Sequence, residues 1–336
     1  MLNILPKVPN VPNVPKVLIV PIISKMKRLI PLLLLTAALY SCVLLRPSAP
    51  SVTPYAAQSP EPEQVKQEDP VVQLKQEHLD FQEPPTPINI DSIIHSVHNI
   101  ENLELPYAEN PNEIITRTGF SFRFNPDHKL SDWVVYMICR ERIANPVTIR
   151  KDNFRPDPAV RTGTAAAADY KGTEFDRGHL APCSDMLWSE SAMYESSLLS
   201  NIAPHLATFH QAGGIWYKLE DLVKVWAMVY DTLYIISGPA LKQEIRGTIG
   251  KNKVSVPEYF YKVILNYTQD RIEGIGFIMP HETVKSGNPL SHYAVPIDSV
   301  QSFTGINFFP LLPEPQQQYI ESRLCESCWL WEKQKK

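Results

Sequence analysis

The chain has 336 residues, 44% of them hydrophobic, and carries 32 lysines and arginines against 36 aspartates and glutamates, a formal net charge of −4. That is ample for a sizeable core without dictating a second one, so a single folded domain with appendages is the economical reading. Residues 1–42 hold five basic groups (Lys7, Lys16, Lys25, Lys27, Arg28) and no acid, which leaves 27 bases against 36 acids in the remainder; such a net-acidic body is a poor long-range polyanion binder and needs a local basic groove and a divalent metal to hold nucleic acid.

From Met26, Lys27-Arg28 precede an almost wholly apolar run, Leu29 to Leu39, followed by Tyr40-Ser41-Cys42. This is the layout of an export signal, and the run is shorter than the roughly 20 residues of a membrane-spanning helix. An uncleaved anchor is the alternative. Leu39 to Cys42 also has the form of a bacterial lipobox, which predicts a lipid anchor on Cys42, a membrane as partner, and an exported, cell-envelope location. Residues 1–25, with their Val-Pro units, sit awkwardly ahead of the signal and are read as an upstream extension, with Met26 as the start. Residues 43–102 form a Pro/Gln/Glu-rich tether, too poor in apolar groups to offset the entropy of ordering, with a short helix over Ile88–Ile100 that opens near Asp91 or Ser92.

A folded domain is expected over 103–336. Phe120 to Phe124 alternates like an edge strand, Trp133 to Cys139 reads as a buried one, and Asn145 to Asp169 reads as loop. Next comes Asp176-Arg177-Gly178-His179-Leu180-Ala181-Pro182, expected at a turn entering a strand. An imidazole accepts a proton at neutral pH, the neighbouring guanidinium holds an anion, and glycine allows the sharp turn before the histidine. Together these types suit attack by water on a charged ester. Ser189 is placed to cap a short helix with Ala192, Met193 and Leu199 on its apolar side. Leu199-Ser200-Asn201-Ile202-Ala203-Pro204 follows. Ile215, Leu219, Leu222, Val223 and Trp226 then fall at helical spacing, with Glu220 at the border of that face. Thr232–Ser237, Tyr259–Tyr267 and Ile275–Met279 read as strands, Gly238-Pro239 as a stop, Asp298 as a helix cap, and Phe308-Phe309-Pro310 as packing behind the sheet.

With DRGHLAP, LSNIAP and the Ile-Trp-Tyr-Lys-Leu-Glu step in this order, the chain resembles the DNA/RNA non-specific endonucleases of the ββα-metal (His-Me finger) type over roughly Leu103 to Trp331. The resemblance implies an α+β fold with a mixed, mainly antiparallel sheet flanked by helices. It also implies a metal-dependent endonuclease that hydrolyses phosphodiester bonds of DNA and/or RNA with little sequence specificity. His179 would be the general base, Arg177 would steady phosphate charge, Glu220 would orient water at the metal, and Asp176 would orient Arg177 or the loop. Asn201 matches an active-site amide of the family, or else satisfies backbone groups at a helix end. Relatives carry a phosphate-contacting arginine near the position of Arg150 and Arg155, both out of register here, so that assignment stays open beside a solvated-charge reading.

The single metal-ligating Asn of the family is absent from Thr208-Phe209-His210-Gln211-Ala212-Gly213-Gly214, where His210 is the nearest candidate ligand. The competing reading has His210 capping the following helix or packing under Trp216. The cofactor expected is a divalent metal, Mg²⁺ in the first instance, with a nitrogen ligand shifting preference towards Mn²⁺ or Zn²⁺. His205, where relatives usually carry Gln, is read as structural. Cys325-Glu326-Ser327-Cys328 lacks the second pair of a zinc ribbon, the exported setting favours disulfides, and Cys139 and Cys183 read as buried thiols, with the pairing open. Two rival functions are a catalytically weakened envelope lipoprotein that binds nucleic acid or a partner, and a phosphodiesterase acting on smaller esters.

Overall fold

The computed structural model describes residues 70–80, 99–282 and 288–331. The export signal, Met26, Cys42 and most of the helix expected over Ile88–Ile100 lie outside the described residues. Among the described residues, no helix is long and apolar enough to cross a membrane.

Eleven strands carry the described fold: β1 (Ile114–Thr116), β2 (Ser121–Asn125), β3 (Leu130–Cys139), β4 (Phe175–His179), β5 (Ile202–Leu206), β6 (Thr232–Pro239), β7 (Ile245–Ile249), β8 (Val254–Pro257), β9 (Tyr259–Thr268), β10 (Arg271–Pro280) and β11 (Ala294–Val295). Seven of them form an antiparallel sheet in the order β1-β2-β3-β6-β9-β10-β11; β4 pairs with β5, and β7 with β8, as separate ribbons. The helices are α1 (Pro70–Asp80), α2 (Arg140–Ala144), α3 (Glu190–Ser196), α4 (Ala207–His210), α5 (Ile215–Tyr230), α6 (Ile297–Thr304) and α7 (Glu314–Glu321). This is an α+β architecture, as expected.

Period-two alternation puts one hydrophobic cluster on each face of the sheet. Along β3, Val134, Tyr136 and Ile138 face one cluster with Leu219, Val223 and Trp226 of α5, while Trp133 and Val135 face the other with Val300 of α6, Phe308 and Phe309. Burial of each such side chain contributes about 1.5–3 kcal/mol. Phe260 and Tyr261 are both fully buried, one on each face, so the aromatics that open β9 are core.

Several elements depart from expectation. Phe122 and its neighbours are not at the sheet edge, because Ile114–Thr116 pairs outside them. The DRGH motif is itself strand β4 rather than a turn before one. Asp298 does not cap α6: it sits in the first turn and accepts a 3.0 Å hydrogen bond from Gln301, and Pro296 holds the cap position. Pro70–Asp80, in the stretch expected as extended tether, is helical because Val71 gives it a fully buried apolar foothold and Lys75 donates to the Ser291 carbonyl at 2.9 Å. Ser189 caps α3 as expected, accepting from the Ala192 amide.

The end of the chain returns to α5. Trp329 packs on Trp226 at 4.5 Å between ring centroids, the Trp226 indole donates to the Leu330 carbonyl at 2.6 Å, and Arg271 donates to the Cys328 carbonyl at 2.6 Å. A Cys325–Cys328 disulfide closes the turn before this strap, while Cys183 is a buried free thiol and Cys139 a half-buried one.

Candidate active site

A short ribbon and a helix position the DRGH residues. In β4, Phe175, Arg177 and His179 alternate with Asp176 and Gly178, and the strand pairs with β5 so that Asp176 lies opposite His205 and His179 opposite Ile202. Gly178 is required by a close approach: a Cβ there would collide with the His205 ring, which lies flush on the ribbon. β5 runs directly into α4, which ends at His210, and α5 begins after the glycine pair 213–214. Strand, strand and helix thus bring residues about thirty positions apart to one wall.

That wall faces a cleft of about 990 Å³ lined by Asp176, Arg177, His179, His205, His210, Trp216, Glu220 and Lys224, among others. On α5 the three residues Trp216, Glu220 and Lys224 recur every four positions, so one stripe of the helix faces the cleft. Lys224 donates to the Ser184 hydroxyl at 2.7 Å and lies 3.5 Å from the buried Asp185 carboxylate. Charge in the lining is balanced, Arg150, Lys171, Arg177 and Lys224 against Asp152, Asp176, Glu220 and Asp221. Cationic character is therefore local rather than a broad basic groove.

His179 stands beside Phe154, ring centroids 5.4 Å apart, and Arg177 lies over the same ring at 4.4 Å. The His179 Nε2 is buried without a hydrogen-bond partner. Burial, helped by Arg150, lowers its pKa to about 3, so the ring is neutral at physiological pH. Glu220 is pushed the other way, up to about 7, by burial, with Lys262 the strongest influence opposing the rise.

Asp176 does not orient Arg177. Its Oδ2 takes the Nε2 of His210 at 3.0 Å and accepts from the Gln211 amide at 2.7 Å, tying β4 to the end of α4. Nor does His210 pack under Trp216, because Phe209 and His205 occupy that space, with centroids 5.5 and 5.7 Å from the indole. Asn201 is not brought into the cleft. It is fully buried, its Oδ1 accepts from the Ala181 amide at 2.8 Å, and its Nδ2 donates to the Ala181 and Ser196 carbonyls at 2.9 and 2.8 Å. With both amide atoms engaged by backbone, it staples the end of β4. Arg150 lines the cleft, bonded to Asp152 at 2.8 Å, whereas Arg155 folds onto Tyr194 and hydrogen-bonds the Asn153 and Tyr194 carbonyls.

Among the described residues, the cleft holds no three His, Cys, Asp or Glu donors close enough to chelate an ion; the one such trio is Glu273, Cys325 and Cys328, whose cysteines form the disulfide. The donor set would suit a cation that takes one nitrogen ligand from the protein. His210 fits that nitrogen, because a carboxylate on the far ring atom is the usual way a ligating imidazole is oriented.

Two residues that matter electrostatically were not singled out from sequence, Lys262 and Asp185. The signal for the first was present: a lysine on the same alternating face as Phe260 and Ile264, in an otherwise apolar strand.

The sequence profile of the DNA/RNA non-specific endonuclease family matches residues 98–314. The mitochondrial endonuclease G of Homo sapiens is 33% identical over 209 residues, covering 59% of this chain and 70% of that protein. The mitochondrial nuclease EXOG of Danio rerio is 30% identical over 226 residues, 63% of this chain and 65% of that one. In fold, the chain is similar to the crystal structure of the EndoG/EndoGI complex, with a TM-score of 0.58 at 23% identity over 69% of this chain and 95% of that one.

Proposed function

The chain belongs to the DNA/RNA non-specific endonuclease family and is a nuclease, and from that premise we propose that His179 is its general base and His210 its protein ligand for a divalent cation. The observation that carries the reading is the His179 ring, neutral at physiological pH, on the wall of a cleft that also receives Arg177, His210 and Glu220.

The family acts with a divalent metal, which when bound supplies Lewis acidity towards the phosphate oxygens. Asp176 holds the His210 ring for that ion through the 3.0 Å contact at Nε2. A nitrogen donor favours Mn²⁺ or Zn²⁺ over the Mg²⁺ that an oxygen donor would suit. Arg177, fixed over Phe154, and Arg150 at the rim meet the anionic phosphate. Glu220 orders water from the α5 side. Water attacks phosphorus, its proton passes to the His179 imidazole, and one P–O ester bond breaks as the leaving oxygen takes a proton from solvent. Specificity for sequence is not expected, since the groups in the cleft address phosphate rather than base edges.

For location, we propose an exported protein anchored by lipid at Cys42, supported by the charged, apolar and Leu-to-Cys succession of residues 27–42. A binding-only role has no structural feature in its favour.

The test is cleavage of plasmid DNA and total RNA by His179→Ala in the presence of Mg²⁺ or Mn²⁺. A fall of about 10²- to 10⁴-fold with an unchanged melting temperature is expected for loss of a general base. Parent-level cleavage would remove His179 from the reaction.

A further inference from the structure

Lys262 occupies the middle of β9, between Ser237 of β6 and Phe277 of β10, on the sheet face that carries α5 and the cleft. It is 1% exposed, and its Nζ is buried without a hydrogen-bond partner. The ammonium lies 4.4 Å from the Trp216 ring centroid and 5.8 Å from that of Tyr136. Ring faces alone do not compensate a desolvated ammonium, whose burial is tolerated only with an opposite charge in reach. The charged groups that act on it are two carboxylates, Glu220 one turn beyond Trp216 on α5 and Asp185 on the turn after β4, and one further cation, Lys224, none of them hydrogen-bonded to its Nζ. Asp185 already has a partner in Lys224 at 3.5 Å. Glu220 is therefore the carboxylate that matches Lys262, and the four groups form a charge-balanced floor under the cleft.

We propose that Lys262 is the positioning residue for Glu220: its buried ammonium, seated against Trp216 one helical turn from Glu220, is the positive charge beneath the cleft that favours this carboxylate meeting water as a hydrogen-bond acceptor. The inference rests on the reading of Glu220 as the group that orders water. Burial alone would leave Glu220 protonated near neutrality, and Lys262 is the largest influence against that. Lys262 touches neither substrate nor ion, since it is not part of the cleft lining.

The test uses the full chain and the variants Lys262→Met, Glu220→Gln and their combination, each followed by thermal melting and by plasmid cleavage across pH. With Lys262→Met, kcat at pH 7 is expected to fall about fivefold with KM little changed, and the acid limb of the kcat profile to move up by about one pH unit. In the double variant no further loss beyond Glu220→Gln is expected, and it should melt above Lys262→Met, because removing both charges strands neither. If Lys262→Met alone does not fold, the double variant still should. Multiplicative losses, an unmoved acid limb in folded Lys262→Met, or a double variant no more stable than the single would each overturn the link between the two residues. Parent-level cleavage by Glu220→Gln would instead overturn the reading of Glu220, and with it any catalytic purpose for Lys262.

Discussion

Replacing Asn201 by alanine separates a structural amide from a catalytic one. The side chain is fully buried and makes three hydrogen bonds, of 2.8, 2.9 and 2.8 Å, to the Ala181 amide, the Ala181 carbonyl and the Ser196 carbonyl. Asn201→Ala leaves one donor and two acceptors facing a small void. At roughly 1 kcal/mol per lost bond, and up to about 3 kcal/mol where a buried group is stranded, the loss is about 3–5 kcal/mol. That is a large part of the roughly 5–15 kcal/mol that holds a domain together. At about 2–4 °C per kcal/mol for a domain of this size, the melting temperature should drop by about 6–20 °C. The assay pairs melting by circular dichroism with plasmid nicking at a temperature where the variant remains folded. Nicking per folded molecule should stay within about tenfold of the parent, because the amide does not reach the cleft. A melting temperature within 2 °C of the parent (about 1 kcal/mol or less), together with a cleavage rate lower by about a hundredfold or more, would refute the structural assignment and return Asn201 to the reacting groups.

His210→Asn, which restores an oxygen donor, is expected to raise the activity ratio of Mg²⁺ over Mn²⁺ and to weaken Zn²⁺ binding measured by calorimetry; an unchanged metal ranking would remove His210 as ligand. Gly178→Ala should drive a methyl into the His205 ring and lower the melting temperature by several degrees, with part of the loss recovered in Gly178→Ala/His205→Ala; a neutral single variant would show that the ribbon does not need the close approach. His281 is buried, accepts from the Leu206 amide at Nε2 and donates to the Pro257 carbonyl from Nδ1, and its pKa is lowered to about 4 by burial. Because the folded state holds it neutral, its contribution to stability is complete above pH 6.5 and is lost as pH falls towards 4, at about 1.4 kcal/mol per pH unit. Nitrogen NMR should find its Nε2 unprotonated at pH 5, and an imidazolium signal there would contradict this.

The family was readable in the residues because DRGH, LSNIAP and the Trp-to-Glu step are local strings whose spacing is set by one ribbon and two helices. The amphipathic spacing of Ile215, Leu219, Leu222, Val223 and Trp226 placed α5 correctly, since burial on one face leaves a 3.6-residue period. What was not readable depends on pairings across long separations. Asp176 was open to its neighbour Arg177 or to the loop, but in a strand adjacent side chains point to opposite faces, and its partner is thirty-four residues away at His210. Asn201 looked equally suited to catalysis or to backbone, and only the position of Ala181 decides. Lys262 stood out as a lysine in an apolar strand run, but its charged neighbours lie on α5 and after β4, beyond what the strand itself can show. The short strand β1, the β7–β8 ribbon and α1 carry too little periodicity to be seen before their neighbours are known.

The strap formed by Trp329 and Leu330 has a practical corollary. It grips the half of α5 that lies beyond Lys224, so the same rod carries a carboxylate at one end and a clamp from the chain's last described residues at the other. The family profile stops at residue 314, short of that clamp. An expression boundary drawn there would bare the Trp226 indole and let the rod rock. The damage would be felt at Glu220, less than two helical turns along the rod from Trp226.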